Sequence, residues 1–504
     1  MKNIAIIGGG IGGMYSAMQC NKLGYTVHII EKNYRLGGRI YTDTINEVQI
    51  ETGAGRFNDN HTKLLKLLKH YKIEYTELKN KKDFIPIIQK DCRKEERINI
   101  NALINKVLRK ASTISDEELM SITFNQLCEI ALGIETTRAL IEAFGYNAEF
   151  YITNAFSGVK TFKEDFTNKY KYYSCVNGLS SFISLFEEDL IKKGVNIHKG
   201  VIVNEYMVNK DNTFTLKLSD NSILIVDDLI FALPKNELMK IDIFSNYARS
   251  LFDSVSPVSL HRIYANYRDT WFKDIIKTTT DIPIRQFIPI DYDKSVAMVS
   301  YSDLHDADYW NIINQGTQDL EETIRKQLKQ MFPDKKITKA VNIRSYYWDN
   351  GVHAWKPGVN PIDVMDKLQK LIPNVYIVGE AYSMRQGWIE GALETADVVI
   401  NIIKNKVNNK KQKRGGKKEV DINEIKNEYP NKEWVILDIG DGEGRRIVDI
   451  TDWKNLHPGG DKFTENMYKD ITNQFTLNTM HYTDTKLKNH VSDMVNKYTL
   501  KIIK

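Results

Sequence analysis

Cysteine is scarce in this chain. Only four stand among 504 residues, at Cys20, Cys92, Cys128 and Cys175. They form no Cys-x-x-Cys pair, which argues against a zinc site or a disulfide framework and fits a reducing compartment. Long apolar runs are missing as well. Nothing reaches the ~18 residues of a membrane span, so none is expected. An excess of one charge is also missing. Lys and Arg total 70 against 65 Asp and Glu, and a net charge of +5 is too small at this length to indicate nucleic acid. The first apolar run begins within a few residues of Met1, leaving no room for a signal peptide. The expected location is therefore cytoplasmic, with association with a virion as the alternative. What remains is 42% hydrophobic and 27% charged, a globular composition long enough for several domains.

Glycine is where the chain becomes informative. Ile4-Ala5-Ile6-Ile7 reads as a buried strand that stops at Gly8. Gly8, Gly10 and Gly13 then make G-x-G-x-x-G, a helix is expected over Met14 to Leu23, and Thr26 to Ile30 reads as a strand ending in Glu31. Each part suits a dinucleotide. Gly8 permits the tight turn, Gly10 lets the backbone approach a pyrophosphate, and Gly13 lets the helix pack close on the strand. The helix N-terminus offers free N–H groups to phosphates, and Glu31 stands where an acid bonds ribose hydroxyls. Two further glycine turns follow, Leu36-Gly37-Gly38-Arg39 and Glu51-Thr52-Gly53-Ala54-Gly55-Arg56-Phe57. If both return to the first turn, the ligand is longer than a pyrophosphate alone.

Farther along, residues 60–175 read as mainly helical, and strands are expected at 195–197, 201–203, 214–218, 223–226 and 228–233. Ile263 to Tyr267 and Ala297 to Tyr301 are the clearest strands of 258–348. Asn374 to Glu380 reads as a strand ending in Gly379-Glu380, followed by Gly387-Trp388-Ile389 and a helix from Gly391 to Ile403. Residues 404–420 are basic and polar and read as a linker, with a small third domain over 421–504.

Taken together, the glycine turns, Gly379-Glu380 and Gly387-Trp388 resemble the flavin-containing amine oxidases, over residues 1–403. The fold class this implies is α/β: a Rossmann-like FAD-binding domain (1–60, 176–257 and 355–403) with a mixed-sheet and helical substrate domain (61–175 and 258–354). The resemblance implies that Gly8, Gly10, Gly13, Glu31, Gly38 and Arg39 hold the ADP side of FAD. Gly53, Gly55, Arg56, Gly379, Glu380 and Ile389 would meet the rest of it. Val203 would contact adenine through its backbone, with Val201 the rival register. Arg56 resembles the arginine that grips the substrate carboxylate in L-amino-acid oxidases, a task that suits a guanidinium. The alternative is an arginine salt-bridged at a domain junction. Gly387 and Trp388 resemble the pair lining the substrate side of the flavin, with Trp388 as core packing the alternative. Monoamine oxidases attach FAD through a cysteine in the region matching Trp348 to Trp355; none is present there, so FAD should be non-covalent. Arg262 falls where many members keep a lysine.

Residues 421–504 resemble cytochrome b5, a small α+β domain. His457-Pro458-Gly459-Gly460 and His481, 24 residues on, would ligate the iron of a haem b from both sides and leave no open position. Valine at 448, where a tyrosine is usual, departs from that pattern. The leading function is FAD-dependent oxidation of an L-amino acid or other amine, with imine hydrolysis and reoxidation by dioxygen. The haem would exchange electrons with the flavin or with an outside donor or acceptor. A polyamine or monoamine oxidase, a desaturase-type oxidoreductase and a non-catalytic flavin and haem scaffold are the alternatives.

Overall fold

Five short apolar runs, far apart in sequence, become neighbours in one parallel sheet. Its order is Val375–Ile377, Asp228–Phe231, Asn3–Ile7, Thr26–Glu31, Asn196–Lys199. The computed structural model describes residues 2–78, 82–88, 98–166, 169–317, 319–414, 428–437, 445–451 and 499–503. Alternate side chains of the central strand serve two cores. Ile4 and Ile6 face the helices Ile11–Lys22, Leu179–Lys192 and the start of Ile389–Arg414, through Met14, Phe182 and Leu393. Ala5 and Ile7 face Phe214, Leu216 and Phe252 on the other side. A parallel sheet covered on both faces explains why these strands read as unbroken apolar runs. The helix after Gly8 begins at Ile11, three residues before its expected start, because Gly10 already serves as its N-cap.

A second, six-stranded sheet supplies the other half of this unit. Its order is Asn342–Trp355, Val255–Asn266, Val296–Asp303, Gln286–Asp291, Lys277–Thr280, Lys82–Ile85. The first two strands pair antiparallel from Val255↔Trp355 to Asn266↔Asn342, a length that sequence runs alone did not reveal. Residues 60–175 form the expected helices, packed around Phe124, Phe150 and Phe162, but also three strands, Tyr75–Glu77, Lys82–Ile85 and Tyr172–Cys175. Lys82–Ile85 joins a sheet whose other members lie elsewhere in the chain, and Tyr75–Glu77 finds its partner in the distant Tyr172–Cys175, so no local pattern marked them.

The chain divides into two compact units, Met1–Val407 and Asn408–Lys504. The helix that begins at Ile389 continues to Arg414, into the stretch expected to be linker. In the second unit, Trp434–Leu437, Arg445–Asp449 and Thr499–Ile503 make an antiparallel sheet with Trp434, Ile447 and Val448 buried. His457 and His481 lie outside the described residues. Among the described residues no helix is long and apolar enough to cross a membrane, and no cluster of His, Cys, Asp and Glu could hold a metal.

Candidate active site

Three glycine turns stack on one another, and glycine is required where they touch. Gly8 has φ +104°, and a Cβ there would sit 2.6 Å from the carbonyl oxygen of Ala232. A Cβ on Gly13 would lie 2.1 Å from the carbonyl oxygen of Gly8, so the helix packs on the turn as expected. Gly13 itself does not reach the cavity described below; its part is packing. The second turn docks on the first through Gly37 N–H to Gly9 O, 2.9 Å, and a Cβ on Gly38 would be 3.3 Å from Gly10 Cα. The third docks on the second through Ala54 N–H to Arg39 O, 2.9 Å. A Cβ on Gly53 would fall 2.0 Å from that same oxygen, and one on Gly55 would fall 2.7 Å from Glu51 Cβ.

Between these turns and the second sheet runs a cavity of about 890 Å³. At one end are Glu31, Lys32, Val203 and Lys240; along the middle are Gly8, Gly10, Gly38, Arg39, Gly379 and Glu380; at the other end are Arg56, Arg262, Tyr301, Gly387, Trp388 and Ile389. An elongated ligand with two dissimilar ends suits this shape. Gly10 is decisive for its middle. A Cβ there would meet nothing within 4 Å, so the protein itself has no need of glycine at that position. The space is left for a ligand beside a helix N-terminus that has no side-chain cap. FAD fits this cradle.

The polar groups along the cavity are held in place. Glu31 accepts from Gly9 N–H at 2.7 Å and from the backbone and side-chain nitrogens of Asn33 at 2.8 and 2.7 Å. Oε1 is filled by the two Asn33 donors, and Oε2 keeps acceptor capacity for a ribose hydroxyl. Val201 donates its N–H to Glu31 O at 3.0 Å, and both Val201 and Val203 line the cavity. Arg39 lines the cavity and also ties distant segments together. Its Nη1 donates to Glu380 Oε1 at 2.5 Å and to the carbonyls of Asn350 and Gly351. His353 Nδ1 lies 2.6 Å from the same carboxylate oxygen, and Gly387 N–H donates to Oε2 at 2.9 Å. Burial would raise the Glu380 pKa, but Arg39, His353 and the Gly387 N–H outweigh it and hold the carboxyl well below the ordinary range. His353 carries no motif, so only the long strand that brings it here reveals it. The same strand places Trp348, Asn350, Gly351 and Val352 on the cavity, and no described cysteine lines it.

At the far end Arg56 sits among aromatic rings. Its guanidinium carbon is 5.6 Å from the ring centre of Tyr146, 6.0 Å from Phe166, and 5.7 Å from both Tyr172 and Trp388. Among the described residues it has no ion pair and no hydrogen bond, so the junction salt bridge considered for it is absent. Burial lowers its pKa, and Tyr146, Tyr301 and Tyr172 more than reverse that. Trp388 is a wall of this cage as well as a packing residue, 4.8 Å edge-to-face from His61. Arg262 is held away from free rotation: Nη1 donates to Glu51 O at 2.7 Å, and the group stacks 4.5 Å from the ring of Tyr301. Glu149 also reaches the cavity. Its buried Oε2 has no hydrogen-bond partner, and burial, with the Asp303 charge second, pushes its pKa up to about 8. Tyr146, Phe166 and Trp388 lie in loops, Tyr172 begins a strand, Glu149 is on the helix Ala148–Tyr151, and Tyr301 and Asp303 share the strand Val296–Asp303, so no single motif marks the set.

The sequence profile described as flavin containing amine oxidoreductase matches residues 11–398. The chain belongs to this family. It is an FAD-dependent amine oxidoreductase. Its relatives are distant. Aplysianin-A of Aplysia kurodai is 22% identical, the match covering 79% of this chain and 89% of that protein. The Bacillus subtilis (strain 168) protein YobN, provisionally named an L-amino-acid oxidase, is 20% identical over 78% of this chain and 93% of its own. Achacin of Lissachatina fulica is 19% identical over 79% and 92%. A solved putrescine oxidase variant shares the fold with a TM-score of 0.65 and 16% identity, covering 80% of this chain and 99% of that one.

Proposed function

We propose that this family member oxidises the α-amino group of an L-amino acid, with FAD bound non-covalently. The observation that carries the reading is Arg56, a half-buried cation without a counter-charge among the described residues, walled by Tyr146, Tyr172 and Trp388 at the end of the cavity. A carboxylate is the partner such a guanidinium fits, through two parallel N–H···O bonds. Bound FAD supplies the acceptor for the hydride of the α-carbon, and dioxygen then takes the electrons as hydrogen peroxide. The chain's own residues position and shield. Arg56 fixes the carboxylate and hence the α-carbon; the aromatic walls exclude water. Glu31 would hold the ribose, and the Gly10 turn with the helix at Ile11 the pyrophosphate. Glu380, locked by Arg39 and His353, fixes the Gly387-Trp388 turn on the substrate side.

The test is anaerobic mixing of the FAD-loaded protein with L-amino acids. The flavin absorbance should bleach; if no amino acid bleaches it, the reading fails. Arg56→Ala should raise KM for amino acids about 10- to 100-fold, the ~1.5–3 kcal/mol of a charged hydrogen-bonded contact. A diamine or polyamine oxidase is the second reading, favoured by the unpartnered Glu149 carboxyl, and there Arg56→Ala should leave KM for diamines little changed. A haem b held by His457 and His481 rests on the sequence alone. A Soret band in the purified protein supports it, and its loss in His457→Ala assigns the ligand.

A further inference from the structure

Arg56 meets the carboxylate of an amino acid, but no residue named so far meets its ammonium group. That group matters, because the α-carbon gives up hydride readily only once the nitrogen lone pair is free. Near neutral pH that lone pair carries a proton, so a base is needed. A charge opposite to Arg56 lines the same cavity. Glu149 reaches it with Oε2 buried and without a hydrogen-bond partner among the described residues. Two other cavity carboxylates are already engaged. Glu380 is held by Arg39, His353 and Gly387. Asp303 accepts from the backbone N–H groups of Asn147 and Ala148, each at 2.8 Å.

The fold sets Glu149 at the Arg56 end. Tyr301 and Asp303 are alternate residues of the strand Val296–Asp303, so they share one face, and both line the cavity. Asp303 pins residues 147 and 148 to that strand. Tyr146 packs edge-on against Tyr301 at 5.4 Å and lies 5.6 Å from the Arg56 guanidinium carbon. Glu149 follows on the helix Ala148–Tyr151. A cation and an unpartnered carboxyl thus border one space, the converse of an amino-acid zwitterion. Asp303, Arg56 and Tyr146 interact with the Glu149 carboxyl, and Asp306 and Arg285 interact with Asp303 in turn. An ordinary carboxylate, at ~4.3, is a poor base for an ammonium proton, whereas one pushed up to about 8 is matched to it.

We propose that Glu149 is a catalytic residue of this site: its carboxylate receives the α-ammonium group of the substrate and takes one proton from it. The N–H bond breaks, an O–H bond forms at Oε2, and the electron pair of the broken bond stays on nitrogen. No electron passes through Glu149; the hydride goes to bound FAD as above, and the proton is released to water after the product leaves. The inference rests on the amino-acid reading and deepens it.

The experiment uses the FAD-loaded protein, wild type and Glu149→Gln, with anaerobic flavin reduction by L-leucine and L-lysine across pH 6–10. The wild-type rate at saturating leucine should rise with pH and level off by about pH 8. Glu149→Gln should be at least about 100-fold slower at pH 7 with both amino acids, and its rate should keep climbing about tenfold per pH unit, since only substrate already neutral reacts. Binding of 4-methylpentanoate, a carboxylate without an amine, is titrated by flavin absorbance. It should be unchanged in Glu149→Gln and at least about tenfold weaker in Arg56→Ala. Unchanged FAD content shows that the variants are folded. A wild-type rate and pH profile in Glu149→Gln overturns the assignment. So does a loss confined to lysine, which makes Glu149 a subsite for a distal cation. If amines without a carboxylate reduce the wild-type flavin and amino acids do not, the amino-acid reading falls, and Glu149 stands only if Glu149→Gln slows those amines with the same change of pH profile.

Discussion

Glu149 and Arg56 show how much a single side chain gains from its neighbours. A glutamate ordinarily ionises near pH ~4.3. Burial beside Asp303 raises the Glu149 carboxyl to about 8. Above about pH 4.3 the unfolded chain gives up this proton while the folded chain keeps it. Glu149 therefore erodes stability progressively from about pH 4.3 to about pH 8, and no further beyond. Glu149→Gln should melt with wild type near pH 4 and gain an increasing advantage in melting temperature up to pH 8; an advantage that does not grow with pH contradicts the raised pKa. Arg56 was legible as a residue type at the end of a glycine turn. Its lack of a partner was not, because that depends on four rings from three other regions of the chain.

At the scale of elements, the first glycine turn separates packing from binding. Gly10 and Gly13 stand three residues apart in one motif, yet a Cβ meets nothing at the first and collides with the Gly8 carbonyl at the second. Gly13→Ala should force the helix Ile11–Lys22 off the sheet and cost about 1–3 kcal/mol, read as a lower melting temperature even without FAD. Gly10→Ala, at φ −68°, should leave the FAD-free protein as stable as wild type and weaken FAD binding at least about tenfold, read by flavin fluorescence on titration. Equal loss of stability in both would refute the assignment of Gly10 to the ligand. The sequence showed this turn, its strand, its helix and Glu31 because all lie within one local repeat of apolar and glycine spacing. It missed the extent of Val255–Asn266 and Asn342–Trp355, since a strand is defined by its partner as much as by its own residues.

At the scale of the whole molecule, the described residues around the cavity lie between Ile7 and Ala392. The family match, residues 11–398, covers nearly the same span. A chain ending at Arg414 should therefore retain FAD and be reduced by the same substrates at about the wild-type rate. Stopped-flow reduction of the two proteins checks this; loss of reduction in the shorter one would give the second compact unit a part in the flavin chemistry. Any haem band should vanish with that truncation, which separates the two cofactors by a single spectrum.

Local order in the chain was enough to show the opening part of the cofactor half of this protein. A Rossmann-like strand–turn–helix–strand, its acid and its two returning glycine turns depend on contacts between residues close in sequence, so spacing encodes them. The substrate half was decided by tertiary structure alone. Tyr146 and Phe166 come from the helical region, Tyr172 from a short strand, Tyr301 from the second sheet and Trp388 from the turn before the last helix. A guanidinium without a partner acquires chemical meaning only when the rings around it displace water that would otherwise satisfy it.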